Sequence, residues 1–203
     1  MKKKTSMKIK INKKVIISLI TLVIVITASW YYFSAQNLVA ATVNGEIISE
    51  KRVEALYNSL PKENRADKKA ILTRLIETKL LAQYAKDKGY YLSDTDFQKE
   101  LDKRLEASNS TISGLVKELD LRGATLEDVR ESIMIELFVN NIIAQTIQIT
   151  DTEISSYRAS TKSTSTNSTI KSLLLQQKTR EVIAQIIQAE YKKATIVIED
   201  KYK

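Results

Sequence analysis

Two regions of this chain differ in how their hydrophobic and polar positions alternate. Residues 15–33 carry no charged side chain, whereas apolar positions beyond about residue 50 recur every three or four residues among polar ones. That spacing places apolar side chains along one face of an α-helix. The pattern therefore predicts one uniformly apolar segment followed by a series of amphipathic helices.

Capping residues predict where several of these helices begin and end. A serine or threonine precedes each of four apolar-periodic segments, namely Ser49, Ser93, Thr125 and Thr150. An acid follows three residues after each of the last three, as in a capping box. The clearest helix spans residues 66–88 and stops before Gly89, while Pro61 ends the helix before it. We also expect helices at about residues 111–121 and 170–193.

Two short segments of β-type residues flank Asn44-Gly45, which is a strong signal for a two-residue hairpin turn. An irregular linker is the alternative interpretation of this region. Residues 195–198 (TIVI) are β-branched at every position and favour a strand. Because a lone terminal strand needs a partner, we predict that the two ends of the domain meet in one small sheet.

Residues 160–169 (STKSTSTNST) form a polar stretch with nothing to bury. We interpret it as a flexible linker that divides a helical domain, residues 39–159, from a C-terminal helix and strand, residues 170–203. The second part is expected to pack back on the first. Sequons occur at Asn109 and Asn167, and the sequence leaves open whether either asparagine is glycosylated.

The charge distribution predicts a membrane anchor rather than a nucleic-acid surface. The formal net charge is +8, but residues 1–14 alone hold seven lysines and no acid. The remaining chain is therefore nearly neutral. Residues 15–35 are predicted to be a transmembrane signal-anchor, with the basic tail in the cytoplasm and the following domain outside it. A cleaved signal peptide is the alternative.

Missing residue types exclude several kinds of chemistry. The chain has no cysteine and no histidine, which excludes disulfides, thiol nucleophiles and serine-histidine triads. It also lacks a glycine-rich phosphate loop. The acid pairs Asp94 with Asp96 and Glu127 with Asp128 lie in first turns of predicted helices, where acids favour the helix dipole. We therefore expect no enzyme, no catalytic residue, no metal and no cofactor.

Aromatic side chains are the sequence's candidates for contact with another polypeptide. They are Tyr57, Tyr84, Tyr90, Tyr91 and Phe97. For any single apolar residue, however, a place in the core is the more frequent outcome. The sequence therefore leaves the substrate-binding residues unknown.

The order of these segments resembles the SurA and PrsA group of extracytoplasmic foldases. VNGEIIS and ILTRLIETKLLAQYAKDKGYYLSDTDF are similar to the N-terminal chaperone region of that group. GATLEDVRESIMIELFVNNII and ITDTEISSYRA continue the similarity in the same order. LLLQQKTREVIAQIIQAEYKKATIVI resembles the C-terminal helix and strand of the family. The resemblance covers about residues 40–159 and 170–198.

The resemblance implies a mainly helical SurA-N-like fold and a chaperone function. In that family, parvulin-type prolyl isomerase domains usually occupy the place of residues 160–169. This chain would then be the chaperone module alone, a membrane-anchored, ATP-independent holdase for unfolded or newly exported polypeptides. The alternative is a membrane-anchored scaffold that docks one specific envelope or secretion partner.

Overall fold

The structure, a computed structural model, describes residues 38–61 and 66–203. The predicted basic tail at residues 1–14 and the predicted anchor at residues 15–35 lie outside the described residues. Within the described part, no single helix combines the length and apolar composition needed to cross a membrane, although one pair bent by 102°, Leu126–Thr146 with Asp151–Thr161, meets both criteria jointly.

The Asn44-Gly45 turn joins the first two strands, β1 (Val39–Val43) and β2 (Glu46–Ser49). Both turn residues have positive φ, 50° and 85°, as the favoured two-residue hairpin turn requires. The third strand, β3 (Ile196–Ile198), pairs antiparallel with β1, so the sheet order is β2-β1-β3. The predicted meeting of the two ends of the domain in one sheet is confirmed.

Helices make up most of the described chain. They are α1 (Glu50–Ser59), α2 (Lys68–Asp87), α3 (Asp94–Ala107), α4 (Ile112–Leu121), α5 (Leu126–Phe138), α6 (Asp151–Thr161) and α7 (Asn167–Tyr191). A π-helical turn, Val139–Ile143, and a further turn, Ala144–Thr146, prolong α5, and a 3-10 turn, Asp200–Tyr202, follows β3. The mainly helical fold with one small sheet matches the prediction.

The predicted helix caps are confirmed. The side chains of Ser49, Ser93, Thr125 and Thr150 each accept a hydrogen bond from the backbone N–H three residues ahead. At Thr125 and Thr150 the acid three residues ahead also accepts a hydrogen bond from the backbone N–H of the threonine, which completes a capping box. Local sequence therefore determines where these helices begin.

The connection between α6 and α7 is shorter than the predicted linker of residues 160–169. Only residues 162–166 lie outside the two helices. The Thr166 side chain caps α7, and Arg158 of α6 donates hydrogen bonds to the Ser165 carbonyl and the Asn167 side chain. These contacts extend both helices into the polar stretch. Its flexibility stays a prediction.

Three buried clusters form the core. The first lies between the sheet, α1 and the first half of α2, and holds Val43, Val53, Leu72, Ile76, Leu80 and Tyr202 among others. The second joins the end of α2 to α5 and the middle of α7 around Ala82, Ala85, Met134 and Phe138. The third packs α3 on α5 through Phe97, Leu101 and Ile133. Helix α2 joins the first cluster to the second, and α5 joins the second to the third. Helix α2 also packs against the sheet, α1, α5 and α7, and we call it the central helix.

A buried carboxylate links the central helix to α5. Glu131 is only 4% exposed, and its two oxygens accept from Lys79 Nζ at 2.7 Å and Lys86 Nζ at 2.8 Å. Lys79 also contacts Glu46 of the hairpin at 3.1 Å. Partial burial lowers the pKa of Lys79, but its hydrogen bonds to the two acids outweigh this effect and raise it. The sheet and the helices thus share one polar junction.

Candidate functional site

The cavity between α3, α4 and α5 is the candidate site, and we call it the α3–α5 groove. Its volume is about 810 Å³. Its apolar lining comprises Leu101, Leu105, Leu115, Leu119, Val129 and Ile133, and its charged lining comprises Arg52, Arg104, Glu118, Asp128 and Glu136. The groove thus combines an aliphatic surface with a few charged groups, a composition typical of ligand-binding clefts.

Helix α4 forms one wall of the groove and is loosely packed. None of its residues is fully buried, although its sequence is amphipathic. Leu115 and Leu119, which line the groove, are half-buried, whereas Val116 is 46% and Leu121 is 73% exposed. An amphipathic helix normally buries its apolar face against the core. Helix α4 therefore has apolar surface that is not buried within the domain.

The C-terminal end of α4 is held against the start of α1. Lys51 Nζ lies 2.7 Å from Asp120 Oδ1. Just beyond α4, Gly123 adopts φ 58°, and a Cβ atom there would lie 2.7 Å from the Lys51 carbonyl carbon and 2.8 Å from the Arg52 nitrogen. Because a side chain cannot fit at that distance, only glycine allows this approach. The wall of the groove is thereby fixed at one end.

The acids that line the groove all have partners. Arg104 binds Glu136 through two parallel hydrogen bonds of 3.1 and 3.0 Å, and this contact raises the pKa of Arg104. Arg122 lies 2.5 Å from Glu118. The Asp128 carboxylate is used in the capping box of α5. Two of the three lining acids therefore pair with an arginine, and the third accepts hydrogen bonds at a helix cap.

Arg52 differs from the other charged groups of the lining. Its guanidinium makes no hydrogen bond or ion pair with any residue that the structure describes. Within the described part of the chain, the Nε atoms of Arg52 and Arg104 are both buried and have no acceptor. Buried side-chain donors without an acceptor are unusual in a folded domain, and two of them lie in residues of this lining.

The aromatic residues singled out from the sequence do not converge on this groove. Tyr84 and Tyr90 pack against Phe138, with ring centroids 6.0 and 5.6 Å apart respectively. Phe97 is buried in the third cluster, and Tyr57 packs against the first. Tyr91 alone of the five is largely exposed, at 71%. None of them lines the α3–α5 groove.

The acid pairs singled out from the sequence have structural partners. Asp94 lies 2.7 Å from Arg130, and Asp96 accepts a hydrogen bond from the Ser93 hydroxyl at 2.6 Å. Glu127 contacts Arg130 at 3.3 Å. Among the described residues there is no group of three side chains suited to hold a metal ion. The acids of these first turns therefore serve helix ends and ion pairs.

Comparison with known proteins identifies the family. A model described as the SurA-like N-terminal domain matches residues 1–108 of the 203. No curated protein matches the chain. A solved structure from a study of SurA-like chaperones of Campylobacter jejuni matches at 17% identity with a TM-score of 0.40, covering 62% of this chain. The match spans 50% of the length of that solved chain. This protein belongs to the family of SurA-like N-terminal domains.

Proposed function

We propose that this protein is a membrane-anchored extracytoplasmic chaperone, an ATP-independent holdase that binds unfolded or newly exported polypeptides. Membership of the SurA-like N-terminal domain family supports a chaperone-type function. Residues 15–35 would anchor the protein, with residues 1–14 in the cytoplasm. An anchor raises the effective concentration of the chaperone where clients emerge from the membrane.

The observation that carries this proposal is the aliphatic lining of the α3–α5 groove. Leu115 and Leu119 on α4 face a cavity large enough for several client side chains. Since α4 buries none of its residues fully, its apolar surface is open to a partner. Binding to such a surface needs no chemical step and tolerates many client sequences.

The short connection between α6 and α7 supports a chaperone without isomerase activity. The two helices are joined by residues 162–166, which leave no room for a further domain at that point. The proposed protein therefore delays aggregation of its clients and leaves their prolyl bonds to isomerise at the uncatalysed rate.

Aggregation of a chemically unfolded client, followed by light scattering, tests the holdase. The full chain in detergent micelles should suppress scattering, and Leu115→Ser with Leu119→Ser should abolish most of that suppression. Leu121→Ser is the matched control, because Leu121 lies on the same helix, is exposed and does not line the groove. If the wild-type chain does not suppress scattering at several-fold excess, the holdase is contradicted and a scaffold that docks one specific partner is favoured.

Two further measurements address the remaining parts of the proposal. A proline-limited refolding reaction run beside the aggregation assay should show no acceleration. For topology, the chain's lack of cysteine allows single-site labelling with a membrane-impermeant maleimide. In intact cells Thr164→Cys should be labelled and Ser6→Cys should not, whereas the opposite pattern would exclude the proposed orientation.

A further inference from the structure

We propose that the outward face of the three-stranded sheet docks on the surface of the lipid bilayer that holds the predicted anchor. The contact is made by Ile47 and Val197, and we call these two residues, with Thr42 between them, the outer row of the sheet. The inference rests on the proposed function, because it needs the anchor at residues 15–35. It adds a surface that orients the anchored domain and is separate from the α3–α5 groove, since no residue of the sheet lines that groove.

The first argument is the register of the sheet. Thr42 of β1 pairs with Ile47 of β2 on one side and with Val197 of β3 on the other. Side chains of directly paired residues lie on the same face of a sheet. The outer row therefore carries one aliphatic side chain on each outer strand, about 10 Å apart across Thr42.

The second argument is that the sheet is apolar on both faces. Its inner face packs against α1 and α2 through residues such as Val43, Ile48 and Ile198. On the outer face, Ile47 is 58% and Val197 is 57% exposed. An antiparallel sheet with one buried face normally has polar side chains on the other. Aliphatic residues on both faces indicate that the outer row also meets an apolar environment.

The third argument is the length of chain between the predicted anchor and the sheet. The predicted anchor ends at residue 35, and β1 begins at Val39. Each residue advances the chain by at most about 3.6 Å, so β1 begins within about 14 Å of the end of the anchor in any conformation. The headgroup layer alone takes up about 5 to 8 Å of that distance. So short a tether gives the bilayer surface a high effective concentration at the sheet, and even a weak apolar contact is then populated.

The fourth argument concerns the kind of lipid surface. Binding at a membrane surface grows with the apolar area that is buried and with attraction to anionic lipids. The outer row has no charged side chain, and the acid Glu199 follows Val197 by two residues. Three of the four lysines within five residues of β3 already form ion pairs, namely Lys193, Lys201 and Lys203. We therefore expect the row to insert aliphatic side chains into a zwitterionic bilayer without help from anionic lipids.

Fluorescence quenching by spin-labelled lipid, measured on the full chain in phosphatidylcholine nanodiscs, tests the inference. Because the chain has no cysteine, an environment-sensitive dye can be attached at Ile47→Cys or Val197→Cys in the outer row, and at Thr164→Cys as the control. Thr164 is exposed, and the 25 residues of α7, about 37 Å of helix, separate it from β3. Lipid with a nitroxide on its headgroup should quench the dye several-fold more strongly at positions 47 and 197 than at position 164. Adding phosphatidylglycerol should change this quenching by less than about twofold.

Val197→Asp should reduce the quenching at position 47 to the level of the control position, because a carboxylate in the outer row opposes insertion. The matched control is Leu121→Asp, which places the same charge at an exposed aliphatic residue of α4 and should leave the quenching at position 47 unchanged.

Three outcomes would overturn the inference. Equal quenching at positions 47 and 164 overturns it, while the holdase and the anchor keep their own assays. A blue shift of the dye at position 47 that needs an added unfolded client would assign the outer row to clients instead of the bilayer. A chain that does not copurify with nanodiscs contradicts the proposed anchor together with the inference.

Discussion

Lys79 Nζ lies 2.7 Å from Glu131 Oε2, and this contact connects the central helix α2 to α5. The Lys79 side chain is only 15% exposed and that of Glu131 only 6%. Burying either charge alone would be costly, so each makes the other's burial tolerable. Glu46 is a second partner of Lys79. Burial raises the pKa of the Glu46 carboxyl, but hydrogen bonds from Gln83 and Lys79 outweigh this effect and lower it.

Glu131→Gln should lower the free energy of unfolding by about 3 kcal/mol, because it leaves Lys79 and Lys86 without their shared carboxylate. Denaturant unfolding measured at one pH tests this. Glu106→Gln, an exposed acid of α3, is the control and should change stability by less than about 0.5 kcal/mol. A loss no larger than in the control would mean that the junction does not stabilise the fold.

Gly123→Ala should destabilise the domain more than Gly89→Ala. Both glycines have positive φ, so both substitutions introduce backbone strain of about 1 kcal/mol. At Gly89 an added Cβ meets nothing within 4 Å, whereas at Gly123 it meets the backbone of Lys51 and Arg52. The difference between the two losses in free energy of unfolding measures this close approach. Equal losses would contradict the contact between α1 and the end of α4.

Two substitutions of Tyr202 distinguish the contribution of its ring to stability from that of its hydroxyl. The ring is buried in the first cluster, but the hydroxyl oxygen has no hydrogen-bond partner among residues 38–61 and 66–203. Burial, and after it the nearby acids, raises the pKa of the phenol. Tyr202→Phe should therefore be neutral or stabilise by up to about 1 kcal/mol. Tyr202→Ala should cost about 3 to 5 kcal/mol. A destabilising phenylalanine would show that the hydroxyl has a partner in solution.

Glu153 should make the stability of the α6–α7 pair sensitive to acid. Its hydrogen bond from Lys178, together with its cap contacts at Thr150, lowers the pKa of the Glu153 carboxyl from 4.5 to about 2. The folded state therefore keeps this charge while the unfolded chain takes up a proton. The contribution is fully present above about pH 4.5 and is lost as the pH falls to about 2.

A titration followed by carboxyl NMR would read the pKa of Glu153 directly. Lys178→Gln should raise that pKa toward its ordinary value, because it removes the principal hydrogen bond. The denaturant midpoint of Glu153→Gln should fall less between pH 7 and pH 3 than that of the wild-type chain. An unchanged titration in Lys178→Gln would contradict the contact between α6 and α7.

Local features of the fold were predictable from the sequence. Helix starts follow from caps such as Thr125 and Thr150, because a cap depends only on residues within one helical turn. The hairpin follows from the conformational preference of Asn44 and Gly45. The pairing of β1 with β3 followed from a simpler argument, namely that a lone strand needs a partner.

The candidate groove was not predictable in the same way. Its lining residues come from three helices and one further helix end, so their convergence depends on tertiary packing. Arg52 appears as an ordinary charged position of a helix in the sequence. Glu131 likewise lies on an amphipathic helix, and only the packing of α2 against α5 buries it. The aromatic candidates were chosen by residue type alone, but most of them, Phe97 included, lie in or against the buried clusters.

The sheet also imposes an order of events on folding. β1 can pair with β2 as soon as the hairpin has been synthesised, but its other edge stays open until Ile198 has been made. Roughly 150 residues of chain separate the hairpin from β3, and pairing between such distant segments is expected to form slowly. A chain arrested before β3 would therefore expose a bare strand edge beside its first apolar cluster, and such an edge favours aggregation. Synthesis of β3 therefore sets the earliest point at which the sheet of this domain can be completed.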